Sequence, residues 1–165
     1  MIGAGAPGRW AVLRASLIHG AFDTKNVAML IRAARFWPAI PVIGGARIKL
    51  QPLYVGDVAQ AFDALIDGRG PSGSVYTISG PRQERLVDMI RIIQERIGRH
   101  VPLVPVPLAP ARVMISAVGR LFPFLQLPRQ QVEALHDHPM YRYDEAATHL
   151  NFSPRTFAEA IKEYI

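Results

Sequence analysis

A tyrosine followed four residues later by a lysine forms a hydroxyl acid/base pair, because the ammonium lowers the phenol pKa and lets it exchange a proton as hydride moves. Here Tyr54, Tyr76, Tyr141 and Tyr143 meet Val58, Gly80, Glu145 and Ala147 at that spacing, so the pair is missing. The nucleophile elbow G-x-S-x-G is missing too. No catalytic residue is expected. Gly3, Gly5 and Gly8 satisfy G-x-G-x-x-G, a spacing that lets a βα turn approach a pyrophosphate. Only Met1 and Ile2 precede them, and Pro7-Gly8-Arg9-Trp10 leads into an apolar run, so neither the aiming strand nor the receiving helix is in place. Residues 1–9 read as a flexible lead-in. His136 and His138, either side of Asp137, would project to one side of an extended segment as two metal ligands. Beside Pro139 they read instead as the solvated end of a helix, and no metal site is expected.

The elements around these residues follow from periodicity. Trp10 to Leu13 is a short apolar run suited to a buried strand. Asp23 or Thr24 can cap a helix carrying Val27, Leu30, Ile31 and Ala34 on one face, ended by Pro38 and Pro41. Arg47 to Leu50 alternates like an edge strand, and Pro52 fits a position that needs no ladder donor. Val55, Val58, Ala59, Phe62, Leu65 and Ile66 keep helical spacing, with Asp57 in the first turn where the dipole favours a carboxylate. Residues 68–73 form a turn, Ser74 to Ile78 a strand, and Leu86 to Ile97 a helix stopped by Gly98. The prolines between Val101 and Pro110 force an extended path. A helix over Val113–Phe122 and a shorter one near Pro128 follow, and Asp144-Glu145 starts another. At the C-terminus Ser153 caps a helix with Pro154 in its first turn and Phe157, Ile161, Tyr164 and Ile165 inward.

Half of the 165 residues are apolar, enough for one domain with a sizeable core, here placed at residues 10–165. With no cysteine, disulfides and thiol chemistry are excluded, and a cytoplasmic location is expected. Pro7, Arg9 and Arg14 break up the N-terminus, so it does not read as a signal peptide. The net charge of +6 is spread along the chain without interleaved aromatics, which argues against a nucleic-acid footprint. The apolar stretch from Val101 to Pro128 is too interrupted to cross a bilayer. The Val113–Phe122 helix is open to two uses, as cover for a pocket or as a peripheral membrane contact with Arg112 and Arg120 snorkelling.

Three segments in order carry a family resemblance: Leu13-Arg14-Ala15-Ser16-Leu17-Ile18-His19-Gly20, then Gln51-Pro52-Leu53-Tyr54-Val55-Gly56-Asp57-Val58-Ala59, then Val75-Tyr76-Thr77-Ile78-Ser79-Gly80-Pro81. They resemble the second half of the extended short-chain dehydrogenases/reductases, a family that includes NAD(P)-dependent sugar-nucleotide epimerases and dehydratases. The Gln51-Pro52-Leu53-Tyr54-Val55 wording is similar to the atypical branch containing the nucleotide-binding accessory subunit of respiratory complex I. The resemblance implies an α/β fold: the C-terminal portion of a Rossmann-like doubly wound sheet with a small, mostly helical substrate domain, the nucleotide-binding half not being represented. It implies NAD or NADP as cofactor, with Ala15, Ser16, Leu17 and Ile18 beside the nicotinamide. Where nucleotide-sugar enzymes place a diphosphate-gripping arginine, seven residues before the helix-start Asp57, this chain has Leu50. Two functions follow as expectations. One is the substrate-binding half of an epimerase-like or reductase-like protein, not catalytic alone and completed by self-association or a separate half. The other is a non-catalytic module docking a membrane-associated or respiratory assembly.

Overall fold

Strand β1 (Ala11–Ala15) lies parallel to β6 (Ser74–Ile78), and β2 (Leu17–His19) lies parallel to β5 (Pro52–Tyr54). The computed structural model that shows this describes residues 8–43, 48–106 and 140–165. β3 (Ile40–Ile43) runs parallel to β8 (Leu103–Val106), while β4 (Lys49–Leu50) and β7 (Glu84–Arg85) form a short antiparallel pair. Parallel partners cannot be joined by tight turns and need crossovers. Helices α1 (Asn26–Phe36), α2 (Val55–Ile66) and α3 (Leu86–Ile97) lie on those crossovers. Near the C-terminus come α4 (Asp144–Leu150), α5 (Phe157–Ala160) and a 3₁₀ turn over Ile161–Glu163. The α/β class with parallel strands is as expected.

Two cores hold these elements. In the first, Val27 and Ala34 of α1 meet Ile40 and Val42 of β3, Met89, Ile90 and Ile93 of α3, and Phe157 of α5. In the second, Leu53, Tyr76 and Ile78 of the strands meet Ala61 and Ala64 of α2 and Ala146 and Leu150 of α4. Arg99 ties the first core's helices together by donating to Ala34 O at 2.6 Å and Trp37 O at 3.0 Å, satisfying carbonyls that the end of α1 leaves over. Gly98 closes α3 at φ 73°, a left-handed C-cap as its position suggested.

Three local expectations need correction. In α2 the buried residues are Asp57, Ala61 and Ala64, while Val55, Ala59, Phe62 and Ile66 face outward. Val58 and Leu65 pack at the margin of the second core, so only part of the expected apolar stripe faces inward. The C-terminal helix begins at Phe157, not after Ser153, because Thr156 and Glu159 form a reciprocal capping box there. Neither Asp23 nor Thr24 is the N-cap of α1. Lys25 occupies that position, and the Asp23 carboxylate reaches over it to accept from Lys25 N at 2.9 Å and Ala28 N at 3.1 Å. The sites suggested at Gly3 and Gly5, at His136 and His138, and along Val113–Phe122 and the helix near Pro128 all lie outside the described residues.

Candidate functional site

The carboxyl end of β1 passes through Ser16 straight into β2, which places Ala15, Ser16, Leu17 and Ile18 side by side at strand ends. In open α/β sheets this edge is where ligands bind. Ala15 and Ile18 are exposed, and Ser16 and Leu17 are half-buried. Ser16 is engaged twice, its N donating to Ile78 O at 3.1 Å and its Oγ to Gln51 O at 2.8 Å. None of the four side chains is charged. They offer no charged partner to a phosphate group.

Behind them Gln51, which is buried, serves as a hub. Its Nε2 donates to Gly80 O at 2.8 Å, Tyr141 O at 2.9 Å and Ser79 Oγ at 3.1 Å, and its Oε1 accepts from Tyr141 N at 2.8 Å. One side chain thus holds the ends of β5 and β6 and the returning chain at Tyr141 in a fixed relation. Gly80 completes the junction, because a Cβ there would collide with the Pro52 carbonyl oxygen.

Beyond β2 the chain turns into α1 and leaves an open cleft of about 310 Å³ lined by Ile18, His19, Phe22, Asp23, Lys25 and Val55 among others. Asp23 N donates to Gly20 O at 3.2 Å to close the turn, and Phe22, 99% exposed, is held at φ 70°. His19 is buried and its Nδ1 lies 2.8 Å from the Tyr164 hydroxyl. Phe157 packs edge-on against the imidazole, the ring centroids 5.1 Å apart. Burial pushes the His19 pKa down to about 4, outweighing the opposite pull of Asp23 and Asp57, so the ring is neutral at pH 7. Burial, reinforced by Asp23 and Tyr54, likewise raises the Tyr164 phenol.

Next to this pair, Arg155 donates through Nε to Asp57 Oδ1 at 2.8 Å and through its backbone N to Oδ2 at 2.9 Å. Its guanidinium lies 4.4 Å from the Tyr54 ring centroid, and Tyr54 in turn stacks on Tyr164 at 6.3 Å. This clamp fixes the C-terminal turn onto β2, β5 and α2. Leu50, the residue at the diphosphate-arginine position, packs against the α1/α3 core and contributes no phosphate contact. Sequence reading missed His19, Gln51 and Arg155 as a working set. The available signal was the Asp57 carboxylate on a helix that otherwise presents small residues inward.

A stretch of 101 residues is 35% identical to NADH dehydrogenase (ubiquinone) 1 alpha subcomplex subunit 9, mitochondrial, of Arabidopsis thaliana, covering 56% of this chain and 24% of that protein. No family model matches the sequence. UDP-glucose 4-epimerase from Thermotoga maritima superposes over 94% of this chain and 44% of its own, with TM-score 0.67 and 18% identity. The chain has the fold of one part of this epimerase. ADP-L-glycero-D-manno-heptose-6-epimerase from Helicobacter pylori shares that fold at TM-score 0.68 and 15% identity, over 93% of this chain and 42% of its own. RMD from Pseudomonas aeruginosa, complexed with NADPH, does so at TM-score 0.64 and 13% identity, over 94% and 46%. The resemblance drawn from three sequence segments is borne out, its complex I branch included. Relative to these structures the chain spans less than half of the extended short-chain dehydrogenase fold. Among the described residues no helix is long and apolar enough to cross a membrane.

Proposed function

We propose that this chain supplies the substrate-side half of an NAD(P)-dependent epimerase-like, dehydratase-like or reductase-like protein and is not catalytic alone. The observation that carries the reading is the outward face of the β1/β6 pair. Val12 and Val75 are register partners and stand 37% and 39% exposed, while Tyr76 and Ile78 are fully buried on the other face. Parallel sheets of this kind are normally covered on both faces. Among the described residues β1 also has a partner on one side only. A nucleotide-binding α/β segment laid against that edge would cover the valines and bring NAD or NADP to Ala15, Ser16, Leu17 and Ile18. The substrate would then be a small molecule held at the cleft side.

Calorimetry with NADH and NADPH tests this on the purified chain. No saturable binding is expected, together with concentration-dependent self-association in sedimentation that Val12→Lys reverses. Micromolar saturable binding to the chain alone would overturn the reading.

A second reading rests on the 35% identity to the complex I subunit. In it the same half-fold serves as a non-catalytic docking module on a respiratory assembly at a membrane periphery. Co-migration of the tagged chain with such an assembly on native gels would favour it, and migration as a free chain would count against it.

A further inference from the structure

Two faces of this fold are apolar and open, and each is marked by an unpaired charge of opposite sign. The first is the outer face of the β1/β6 pair. Val12 and Val75 are register partners there and stay open to solvent, and Arg14, also exposed, follows Val12 on the same side two residues on. The second is the outward stripe of α2, where Val55, Phe62 and Ile66 are 40%, 52% and 80% exposed and Ala59 is exposed among them. Asp63, exposed one turn after Ala59, borders that stripe. Neither the Arg14 guanidinium nor the Asp63 carboxylate has a hydrogen-bond or ion-pair partner among the described residues.

One copy cannot bring these faces together. The Ala61 and Ala64 side of α2 enters the core that holds Tyr76 and Ile78, so the stripe looks outward on one side of the layers, and Val12, Val75 and Arg14 look outward on the other. Their spacing nevertheless matches. Val12 and Arg14 are about 7 Å apart along a strand. Ala59 and Asp63, four residues apart on a helix, are about 6 Å apart. A helix laid along the strands with Ala59 over Val12 therefore carries Asp63 to Arg14. The small Ala59 side chain lets the two backbones close, and Val55 and Phe62 supply the apolar contact. Pairing of either face with its own copy is less complementary. Sheet on sheet offers Arg14 no carboxylate, and stripe on stripe offers Asp63 no cation.

Resting on the substrate-side reading above, we propose that a second copy of this chain covers the β1/β6 face with its α2 stripe, in the place that reading gives to a nucleotide-binding segment, and that Asp63 of one copy pairs with Arg14 of the other. The two faces differ and lie on opposite sides, so the contact is head-to-tail. Copies then add in series instead of closing as a dimer.

The test is sedimentation of the whole chain over a concentration series. Wild type should grow past a dimer without a plateau. Val12→Lys blocks one face and Phe62→Lys the other, so each variant alone should stay monomeric, and an equal mixture should form a closed one-to-one dimer from the two faces left open. The mixture also shows that both variants are folded. Arg14→Asp and Asp63→Arg each replace an attraction by a repulsion and should weaken wild-type association about tenfold. The double variant reverses the pair and should return to within about threefold of wild type. A dimer formed by Phe62→Lys alone would show sheet-on-sheet pairing, and one formed by Val12→Lys alone would show stripe-on-stripe pairing. Either result, a wild type that stays monomeric, a mixture that stays monomeric, or a double variant no stronger than the single ones would overturn the proposal. Saturable binding of NADPH to the chain alone would overturn the substrate-side reading and leave the sedimentation results standing, so the two failures are distinguishable.

Discussion

Arg155 grips Asp57 from two directions, through its side-chain Nε at 2.8 Å and its own backbone N at 2.9 Å, across a sequence separation of 98 residues. The partners are unequally placed: the Asp57 side chain is 1% exposed and that of Arg155 is 33% exposed. Removing the buried charge's partner should therefore cost more than removing the charge. Arg155→Ala leaves the buried carboxylate with the backbone N–H alone and is expected to destabilise by about 3 kcal/mol, the low end for breaking a buried ion pair. Asp57→Asn keeps the shape, leaves a guanidinium that water can reach, and should cost about half as much. Urea unfolding of both variants reads the order, and equal losses would contradict this placement of the charge.

His19 gives the chain a specific acid sensitivity. Its folded pKa is about 4 against an ordinary 6.5, so the native state holds it neutral while the unfolded chain protonates it. The stability it contributes is complete above pH 6.5 and is lost as pH falls from 6.5 toward 4, because only the unfolded state gains the proton there. The total is about 3 kcal/mol at ~1.4 kcal/mol per pH unit. His19→Gln should flatten this part of the stability curve relative to the wild type, measured by urea unfolding between pH 4 and 7. An unchanged slope would show that the imidazole is solvated.

The polarity of the Gln51 hub can be tested by changing one atom. Its Nε2 faces two carbonyl oxygens, those of Gly80 and Tyr141. Gln51→Glu puts an acceptor where a donor is needed and should be more destabilising at pH 7 than Gln51→Ala, which is expected to cost about 2–3 kcal/mol for the unpaired groups left behind. Lowering the pH should narrow the gap as the new carboxyl gains a proton and becomes a donor. Thermal melts at two pH values decide it.

Much of the frame is legible in the sequence because it depends on local rules. Ser74–Ile78 and Leu86–Ile97 fall on the expected residues, since β-branched runs, helical spacing and a terminal glycine act over a few residues. The site is less legible because its partners are remote. His19 meets Tyr164 across 145 residues and Gln51 meets Tyr141 across 90, distances at which no periodicity carries information. The outward stripe of Val55, Phe62 and Ile66 illustrates the opposite failure. Its helical spacing is regular, and periodicity assigns it to the core of an isolated chain, whereas in this fold Ala61 and Ala64 take the inner face with Val58 and Leu65 packed at its margins.

Backbone lies hard against backbone where β5 meets the end of β6. Gly80 is buried against the Pro52 carbonyl, and an added Cβ would collide with backbone on a strand, not with a side chain that can swing aside. Relief would require shifting either β5 or the Ser79–Gly80 junction, and both are pinned by Gln51 through Gly80 O and Tyr141. Gly80→Ala is therefore expected to destabilise by about 2–3 kcal/mol, the upper end of the cost of overpacking a close-packed interior. It should also weaken the Tyr141 tether, seen as faster amide exchange at Tyr141 than in the wild type. Gly68→Ala is the control, because a Cβ there meets nothing within 4 Å although its φ of 81° is strained for alanine. A loss at Gly80 no larger than that at Gly68 would mean that the junction shifts to relieve the contact with Pro52 at little cost.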